Sequence, residues 1–279
     1  MRYNDFYKAV KESLKKFSNG CGTFKGKEKY PHILRIQQGE KKEDVIRNYN
    51  LLECCKPLRF LLKGKCHQYA HHLNSSQLMC YNFFRPLIDE KGYASEKLIS
   101  ILKAMGINID SSNNSQCVFE YEQNSGGWEQ EGRRKTNFDF YVKSGETEVF
   151  FEIKYTEQGF GKAKKDKAHK DKYDKFYKAK ISECPAIADA INKYDDYFIN
   201  NYQIIRNVIR VTNENKYVVF VYDENNKIVR SQLKKFVKDN IVQYKDNIIG
   251  VSWQYIVNKL EPKHQKQFRK KYLSYSCTK

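Results

Sequence analysis

Hydrophobic positions recur at helical spacing through much of the first 115 residues. Apolar side chains three or four positions apart predict helices over residues 5–17, 45–62, 75–84 and 95–105. Ser95 is a suitable N-cap for the last helix, and Gly106 is a suitable stop. Asn74 or Ser75 is a suitable N-cap for the third helix. We therefore expect residues 1–115 to form a mainly helical N-terminal region.

The pattern changes near residue 116, where short aromatic and β-branched runs replace the helical spacing. The first of these runs, 117–122, fits either a strand or the end of a helix. Further strands are predicted over 137–142, 149–155, 217–222 and 248–251, and helices over 174–181, 187–209 and 253–260. This order is typical of an α/β fold with a central mixed β-sheet flanked by helices. We assign residues 116–279 to that core.

Three charged residues interrupt two adjacent predicted strands. Asp139, Glu152 and Lys154 lie inside hydrophobic runs, although burying a charge is costly unless it is paired or bound to a metal. Because side chains alternate along a strand, Glu152 and Lys154 share a face. A turn over residues 144–147 would place Asp139 directly opposite Glu152. The three charged groups are therefore predicted to converge.

The apolar residues of this hairpin are predicted to cover both of its faces. One face would carry Phe138, Phe140, Phe151 and Ile153, and the other would carry Tyr141 and Phe150. The alternative is an ordinary Glu152–Lys154 pair on a solvated face, which such apolar surroundings disfavour. Two carboxylates about 5 Å apart repel each other unless a cation lies between them. Hard oxygen ligands of this kind suit Mg²⁺ or Mn²⁺.

The upstream Asp139 and the acid-x-Lys run Glu152-Ile153-Lys154 resemble the motif of the PD-(D/E)xK nuclease superfamily. Asn137-Phe138 stands where that motif has a proline before the aspartate. Further patches within residues 67–260 resemble a bacterial restriction-endonuclease-like family of the same superfamily. These patches are residues 71–77, Cys80, 82–84, Pro86-Leu87, 155–157, Tyr202-Gln203 and Arg206-Asn207. The resemblance gives no role to the histidine-rich stretch 67–77.

The resemblance implies a restriction-endonuclease-like core and a metal-dependent endonuclease that hydrolyses phosphodiester bonds in DNA. Asp139, Glu152 and the carbonyl of Ile153 would bind Mg²⁺, for which Mn²⁺ could substitute. Lys154 would orient or deprotonate the attacking water. The implied setting is restriction or phage defence, with a homodimer as one way to cut both strands.

Two further site residues are expected from the same resemblance. An upstream acid would complete the site, and Glu120 is preferred over Glu122 because it directly follows the apolar Val118-Phe119. Gln203 would support Lys154 or touch a phosphate. The alternative for Gln203 is a polar stripe on an amphipathic helix, since Asn207 lies four residues later on the same side.

The charge of the chain favours a polyanionic partner. The sequence has 51 Lys and Arg against 33 Asp and Glu, a formal net charge of +18. Residues 162–180 alone contain nine lysines and three aspartates, directly after the acid-x-Lys run. A merely lysine-rich, solvated surface is the alternative. One alternative function is an RNA-directed nuclease, which the motif does not exclude. Another is a nucleic-acid-binding module with an inactive site, against which the intact set of Asp139, Glu152 and Lys154 argues.

No apolar run approaches the length of a membrane span. Residues 1–16 are charged and lack the apolar core of a signal peptide. We therefore expect a cytoplasmic protein without a membrane partner.

Overall fold

A mixed five-stranded sheet forms the centre of the molecule. The computed structural model describes residues 2–19, 29–56, 66–110, 114–122 and 136–277. The strands are β1 (Gln116–Glu122), β2 (Asn137–Ser144), β3 (Thr147–Ile153), β4 (Lys216–Tyr222) and β5 (Ile248–Ser252), in the spatial order β1-β2-β3-β4-β5. β1, β2 and β3 pair antiparallel, whereas β3, β4 and β5 pair parallel. The predicted mixed sheet is confirmed.

Helices cover both faces of this sheet. They are α1 (Tyr3–Asn19), α2 (Lys42–Tyr49), α3 (Ser76–Phe84), α4 (Glu96–Ala104), α5 (Lys167–Lys172), α6 (Lys178–Ser182), α7 (Asp196–Val208), α8 (Lys227–Asn240), α9 (Trp253–Val257) and α10 (Pro262–Phe268). A π-helical turn, Tyr173–Tyr177, joins α5 to α6. Among the described residues, no helix is both long enough and apolar enough to cross a bilayer.

Two separate apolar clusters hold these layers together. The first cluster packs α1, α2, α3, α4, α9 and α10 on one face of the sheet. The second packs the π-helical turn, α7 and α8 on the opposite face. The N-terminal helices therefore share a core with the sheet and the C-terminal helices, and the domain boundary near residue 115 stays a prediction.

The β2–β3 hairpin has the predicted register. Val142 pairs with Val149, and Ser144 pairs with Thr147 across the turn. Gly145 has φ 55, the positive value that a tight two-residue hairpin turn requires at its first central position. The same register continued by one pair brings Asp139 level with Glu152.

The faces of the hairpin differ from the prediction at one residue. Phe140 belongs to the first apolar cluster, but Phe138 belongs to the second, so these two rings do not share a face. The neighbouring strand changes face at the same level, because Phe119 joins the first cluster and Tyr121 packs against the second. Glu120, between them, has φ 50, which interrupts the strand alternation. The prediction assumed an uninterrupted alternation.

Two predicted helices are shorter than expected. The helix predicted over 45–62 ends at Tyr49, and residues 57–62 lie outside the described part of the chain. The helix predicted over 187–209 begins only at Asp196, with Asp195 as its N-cap. The segment before it pairs with the chain that follows α8 instead, since Val242 N–H donates to the Ala186 carbonyl at 3.0 Å.

Helix α8 was missed by the sequence prediction. It forms the crossover between the parallel strands β4 and β5, which need a long connection of this kind. Its buried side carries Val229, Leu233 and Phe236. Their spacing of four and three residues is the sequence signal that predicts such a helix. The helix predicted over 253–260 is present but ends at Val257.

Replacing Phe84 by alanine is predicted to test how firmly α3 holds the sheet. Phe84 is fully buried and stacks on Phe140 with ring centroids 4.1 Å apart. We expect F84A to lower the free energy of unfolding by about 3–5 kcal/mol, measured by urea denaturation. V242A is the control, because Val242 is 63% exposed and its loss should change stability by less than about 0.5 kcal/mol. Equal stability of F84A and V242A would contradict a stabilising contact between Phe84 and the sheet.

Candidate active site

A cleft of about 1210 Å³ opens where β3 ends. Five side chains that the sequence predicts for the site line this cleft: Glu120, Asp139, Glu152, Lys154 and Gln203. Ile153, the predicted carbonyl donor, lines it as well. The structure therefore brings all predicted site residues to one place.

A buried ion pair between Glu152 and Lys154 forms the floor of the cleft. Lys154 Nζ donates to Glu152 Oε1 at 2.8 Å, and both side chains are at most 8% exposed. Two amides of α7 support the carboxylate, since Gln203 Nε2 donates to Oε1 at 2.8 Å and Asn207 Nδ2 donates to Oε2 at 3.0 Å. Glu152 is thus fixed by three donors, a geometry that satisfies a buried charge.

Asp139 lies beside this pair with a less complete set of partners. Its Oδ2 accepts a hydrogen bond from the backbone N–H of Ile153 at 2.7 Å. Burial, and next the charges of Glu152 and Glu120, raise the pKa of Asp139 well above its ordinary value. The carboxylate form of Asp139 is therefore held at a cost that a nearby cation would relieve.

Glu120 reaches the cleft from β1 through an unusual backbone conformation. Its φ of 50 lies in the left-handed region, which is uncommon outside glycine and persists only where the surroundings enforce it. Gln77 Nε2 donates to Glu120 Oε1 at 2.7 Å, and Asn137 Nδ2 donates to Oε2. Glu122 is exposed at the end of the strand and does not line the cleft. Of the two predicted acids, the structure brings Glu120 to the site.

Lys154 keeps its proton in this environment. Burial alone would lower the pKa of its ammonium group, but the carboxylates of Glu152 and Glu157 oppose that effect, and the net result is a raised pKa. Its Nζ also donates to Gln203 Oε1 at 3.0 Å. Lys154 is therefore a fixed positive charge at neutral pH.

Gln203 connects three parts of the site. Its Oε1 accepts from Lys154 and also from the backbone N–H of Gly161 at 2.7 Å. A Cβ added at Gly161 would lie only 3.2 Å from Gln203 Oε1, so the Gly161 backbone packs closely against the Gln203 side chain. The expected support of Lys154 by Gln203 is observed.

Three supporting residues were not among the predicted site residues: Gln77, Asn137 and Asn207. The spacing of Asn207 from Gln203 is the signal that identifies it, because residues four apart lie on one helix face. Gln77 links the histidine-rich stretch to the site, since its Oε1 accepts from the N–H of His67 at 2.9 Å. Ser75 caps α3, one of the two caps expected there.

The lysine-rich stretch is largely helical and partly neutralised. Several of its lysines pair with acids, among them Lys167 with Asp171 at 2.7 Å and Lys170 with Asp174 at 2.6 Å. Lys162 and Lys172 line the cleft. The contact of this stretch with phosphates stays a prediction.

The donor set of the cleft suits a hard divalent cation. A carboxylate offers about four acceptor sites, of which Glu152 uses three and Asp139 uses one. Three acidic side chains, those of Glu120, Asp139 and Glu152, line the cleft together with Lys154. Within the described ranges, no three His, Cys, Asp or Glu side chains are grouped closely enough to hold a metal. Two carboxylates, a carbonyl and water remain a suitable set for Mg²⁺.

Replacing Asp139 by asparagine is predicted to stabilise the metal-free protein. The amide keeps an acceptor for the Ile153 N–H but removes a carboxylate whose pKa is raised by burial and by like charges. We expect the free energy of unfolding at neutral pH, in a chelator, to increase by about 0.5–2 kcal/mol. Thermal and urea denaturation measure this difference.

The same variant has a defined pH dependence. A carboxyl whose pKa is raised on folding destabilises the native state above that raised pKa, and this penalty vanishes below the unfolded pKa of about 3.9. The advantage of D139N should therefore decline as the pH falls toward about 3.9 and vanish below it. D239N, at an exposed acid of α8, is the matched control and should show no comparable gain. A D139N protein that is less stable than the wild type at neutral pH contradicts the account.

One of three comparisons with known proteins identifies a family. Searches of curated proteins and of solved structures found no match. The family model described as Restriction Endonuclease associating with ARP matches residues 59–273, which include every predicted site residue and most of the chain. The protein therefore belongs to this restriction endonuclease family.

Proposed function

We propose that the protein is a Mg²⁺-dependent endonuclease that hydrolyses phosphodiester bonds in DNA. The observation that carries this proposal is the buried Glu152–Lys154 pair, placed beside Asp139 at the floor of a cleft. Nucleases need a fixed cation and metal-binding carboxylates at one point, and few structural roles need both in a cleft. Membership of a restriction endonuclease family supports the same reaction class.

Asp139, Glu152 and the Ile153 carbonyl would hold the metal, and Glu120, which lines the same cleft, would be the upstream acid of the site. When bound, Mg²⁺ would stabilise negative charge on the scissile phosphate and on the leaving oxygen. A bound cation would favour the charged form of Asp139, whose pKa is raised by burial and by neighbouring acids. Gln77 and Asn137 fix the orientation of Glu120.

Lys154 would orient the attacking water and neutralise the phosphate. Its raised pKa means that it holds its proton, so it acts as a positive charge and donor in preference to a base. Gln203 and Glu152 fix the ammonium group through hydrogen bonds of 3.0 and 2.8 Å. Positioned donors of this kind stabilise charge that develops in a transition state.

Cations along the cleft would hold the nucleic-acid backbone. Lys162, Lys172 and Arg206 line the cleft next to the catalytic floor. Such contacts position a substrate without reading its sequence. The net charge of +18 supports a polyanionic substrate. The proposal places this activity in the cytoplasm, in restriction or phage defence.

Removing the charge of Lys154 is predicted to abolish cleavage. We expect K154A to lower the cleavage rate by at least about 100-fold, the scale seen when one fixed transition-state donor is lost. E152Q and D139N should have losses of the same order. The assay incubates each protein with supercoiled DNA, linear DNA, single-stranded DNA and RNA, with Mg²⁺ or with a chelator, after circular dichroism has verified folding.

K238A is the matched control, because Lys238 is exposed on α8 and does not line the cleft. It should cleave at the wild-type rate. Full activity of K154A would refute the proposed role of this lysine. A wild-type protein that binds DNA tightly but cleaves no substrate with Mg²⁺ or Mn²⁺ would favour the binding module with an inactive site, and cleavage restricted to RNA would favour the RNA-directed nuclease.

Metal binding has a readout that does not depend on cleavage. Mg²⁺ at about 100 times its dissociation constant should increase the free energy of unfolding by about 2.7 kcal/mol, seen as a higher melting temperature. D139N and E152Q should lose most of this increase, whereas D239N should retain it. An equal increase in D139N and wild type would place the metal elsewhere.

A further inference from the structure

The cleft lies between two groups of elements that cover opposite faces of the sheet. α1 and the segment 66–75 pack on the first face through Phe6, Val10 and Leu73. The lysine-rich stretch and α7 pack on the second face through Tyr173 and Phe198. Each group contributes residues to the cleft, so each forms one of its walls.

The two walls differ in chemistry. Among the described residues that line the cleft, the wall formed by α1 and the segment 66–75 contributes five rings and no Lys or Arg: Tyr3, Tyr7, His67, Tyr69 and His72. We name this the aromatic wall. The opposite, basic wall contributes Lys162, Lys172 and Arg206. Apart from Lys154 at the floor, the Lys and Arg side chains that line the cleft thus lie on one side, and most of its rings lie on the other.

Tyr69 is an exposed ring of the aromatic wall. It is 52% exposed, although its ring centroid lies 5.2 Å from those of both His67 and His72. Tyr3 and Tyr7 stack at 5.9 Å with an interplanar angle of 11°. The Tyr3 hydroxyl donates to the Thr156 carbonyl at 2.6 Å, which anchors this pair beside the end of β3. These rings therefore form a supported surface of π-faces next to the catalytic floor.

A DNA duplex is a poor match for such a cleft. Both strands of a duplex present phosphates outward, at about one charge per 1.7 Å of helix axis, so a cleft that grips it meets phosphates on both walls. An unpaired strand has phosphates along one edge and bases along the other. Aromatic side chains stack on such bases in proteins that bind single strands, while a basic groove follows the backbone.

We propose that the substrate enters this site as an unpaired DNA strand, with its phosphates on the basic wall and its bases stacked on the aromatic wall around Tyr69. This inference rests on the proposed nuclease function and specifies its substrate class. The scissile phosphate then lies over Lys154, between the stacked bases and the lysine-rich stretch. One active site is sufficient for each cut, so cleavage of this substrate requires no homodimer.

Binding tests the stacking directly and without catalysis. A short single-stranded oligonucleotide with one 2-aminopurine is titrated with the full-length protein in a chelator, because stacking on a ring quenches the fluorescence of this base. We expect quenching with the wild type and with Y69F, which keeps the ring. Y69A should bind about 5- to 150-fold more weakly, the change that corresponds to one stacked base.

The controls separate the aromatic wall from general effects. Y255A removes a ring that is 43% exposed but does not line the cleft, and it should bind as the wild type does. The same oligonucleotide annealed to its complement should bind more weakly than the free strand at equal salt. Duplex binding that equals or exceeds single-strand binding, together with unchanged affinity of Y69A, would overturn the inference. Tighter binding of single-stranded RNA than of DNA would overturn its assignment to DNA.

Cleavage assays distinguish this inference from the function on which it rests. With Mg²⁺, the wild type should cut the single strand, or an unpaired segment within a duplex, faster than a fully paired duplex, and Y69A should lose this preference. If single strands bind with quenched 2-aminopurine fluorescence but no substrate is cleaved, the nuclease proposal is refuted and the stacking surface is retained. Cleavage of fully paired duplex at the rate of the single strand would refute the inference and retain the nuclease.

Discussion

The hydrogen-bonded pair of Glu152 and Lys154 is the interaction on which the site depends. Two opposite charges are buried at the end of a central strand, where desolvation is costly. Gln203 and Asn207 offset this cost by donating to the carboxylate from α7. The pair therefore couples the sheet to the helix on its second face at the floor of the cleft.

In β1 and β2, the regular alternation of side chains between the two faces of the sheet is interrupted at the acids of the site. β1 changes face at Glu120 and β2 changes face at Asp139, so the two interruptions lie at the same level of the sheet. The left-handed conformation of Glu120 is the backbone cost of this arrangement, of the order of 1–3 kcal/mol. Native proteins tolerate such strain mainly where a function requires it. The site thus combines buried charge, like-charge repulsion and backbone strain within a few residues.

Much of the sheet and most of the site could be predicted from local sequence. The aromatic runs define the strands, and the interruption of those runs by Asp139, Glu152 and Lys154 identifies the site, because alternation along a strand is a local rule. The register of the hairpin follows from the short turn at Gly145. Gln203 was predicted through resemblance, and its contacts with Glu152 and Lys154 agree with that prediction.

The remaining features depend on contacts between distant parts of the chain. β2 changes face at Asp139, level with Glu120 of β1, and no local pattern specifies this interruption. The segment before α7 pairs with the chain that follows α8, through Ala186 and Val242, where the sequence predicted a helix. Gln77 donates a hydrogen bond to Glu120 although the two residues are 43 positions apart in the sequence. Only the folded structure therefore identifies Gln77 as a residue that supports Glu120. The division of the cleft into an aromatic and a basic wall likewise results from packing on opposite faces of the sheet.

We propose that Asp139, Glu152 and Ile153 form one metal-binding active site. A crystal structure with Mn²⁺ tests this proposal, because anomalous scattering locates the ion independently of any activity. We expect an anomalous peak bonded to the carboxylates of Asp139 and Glu152 and to the carbonyl of Ile153, and no such peak in D139N. A peak at another site, with none at these residues, would contradict it.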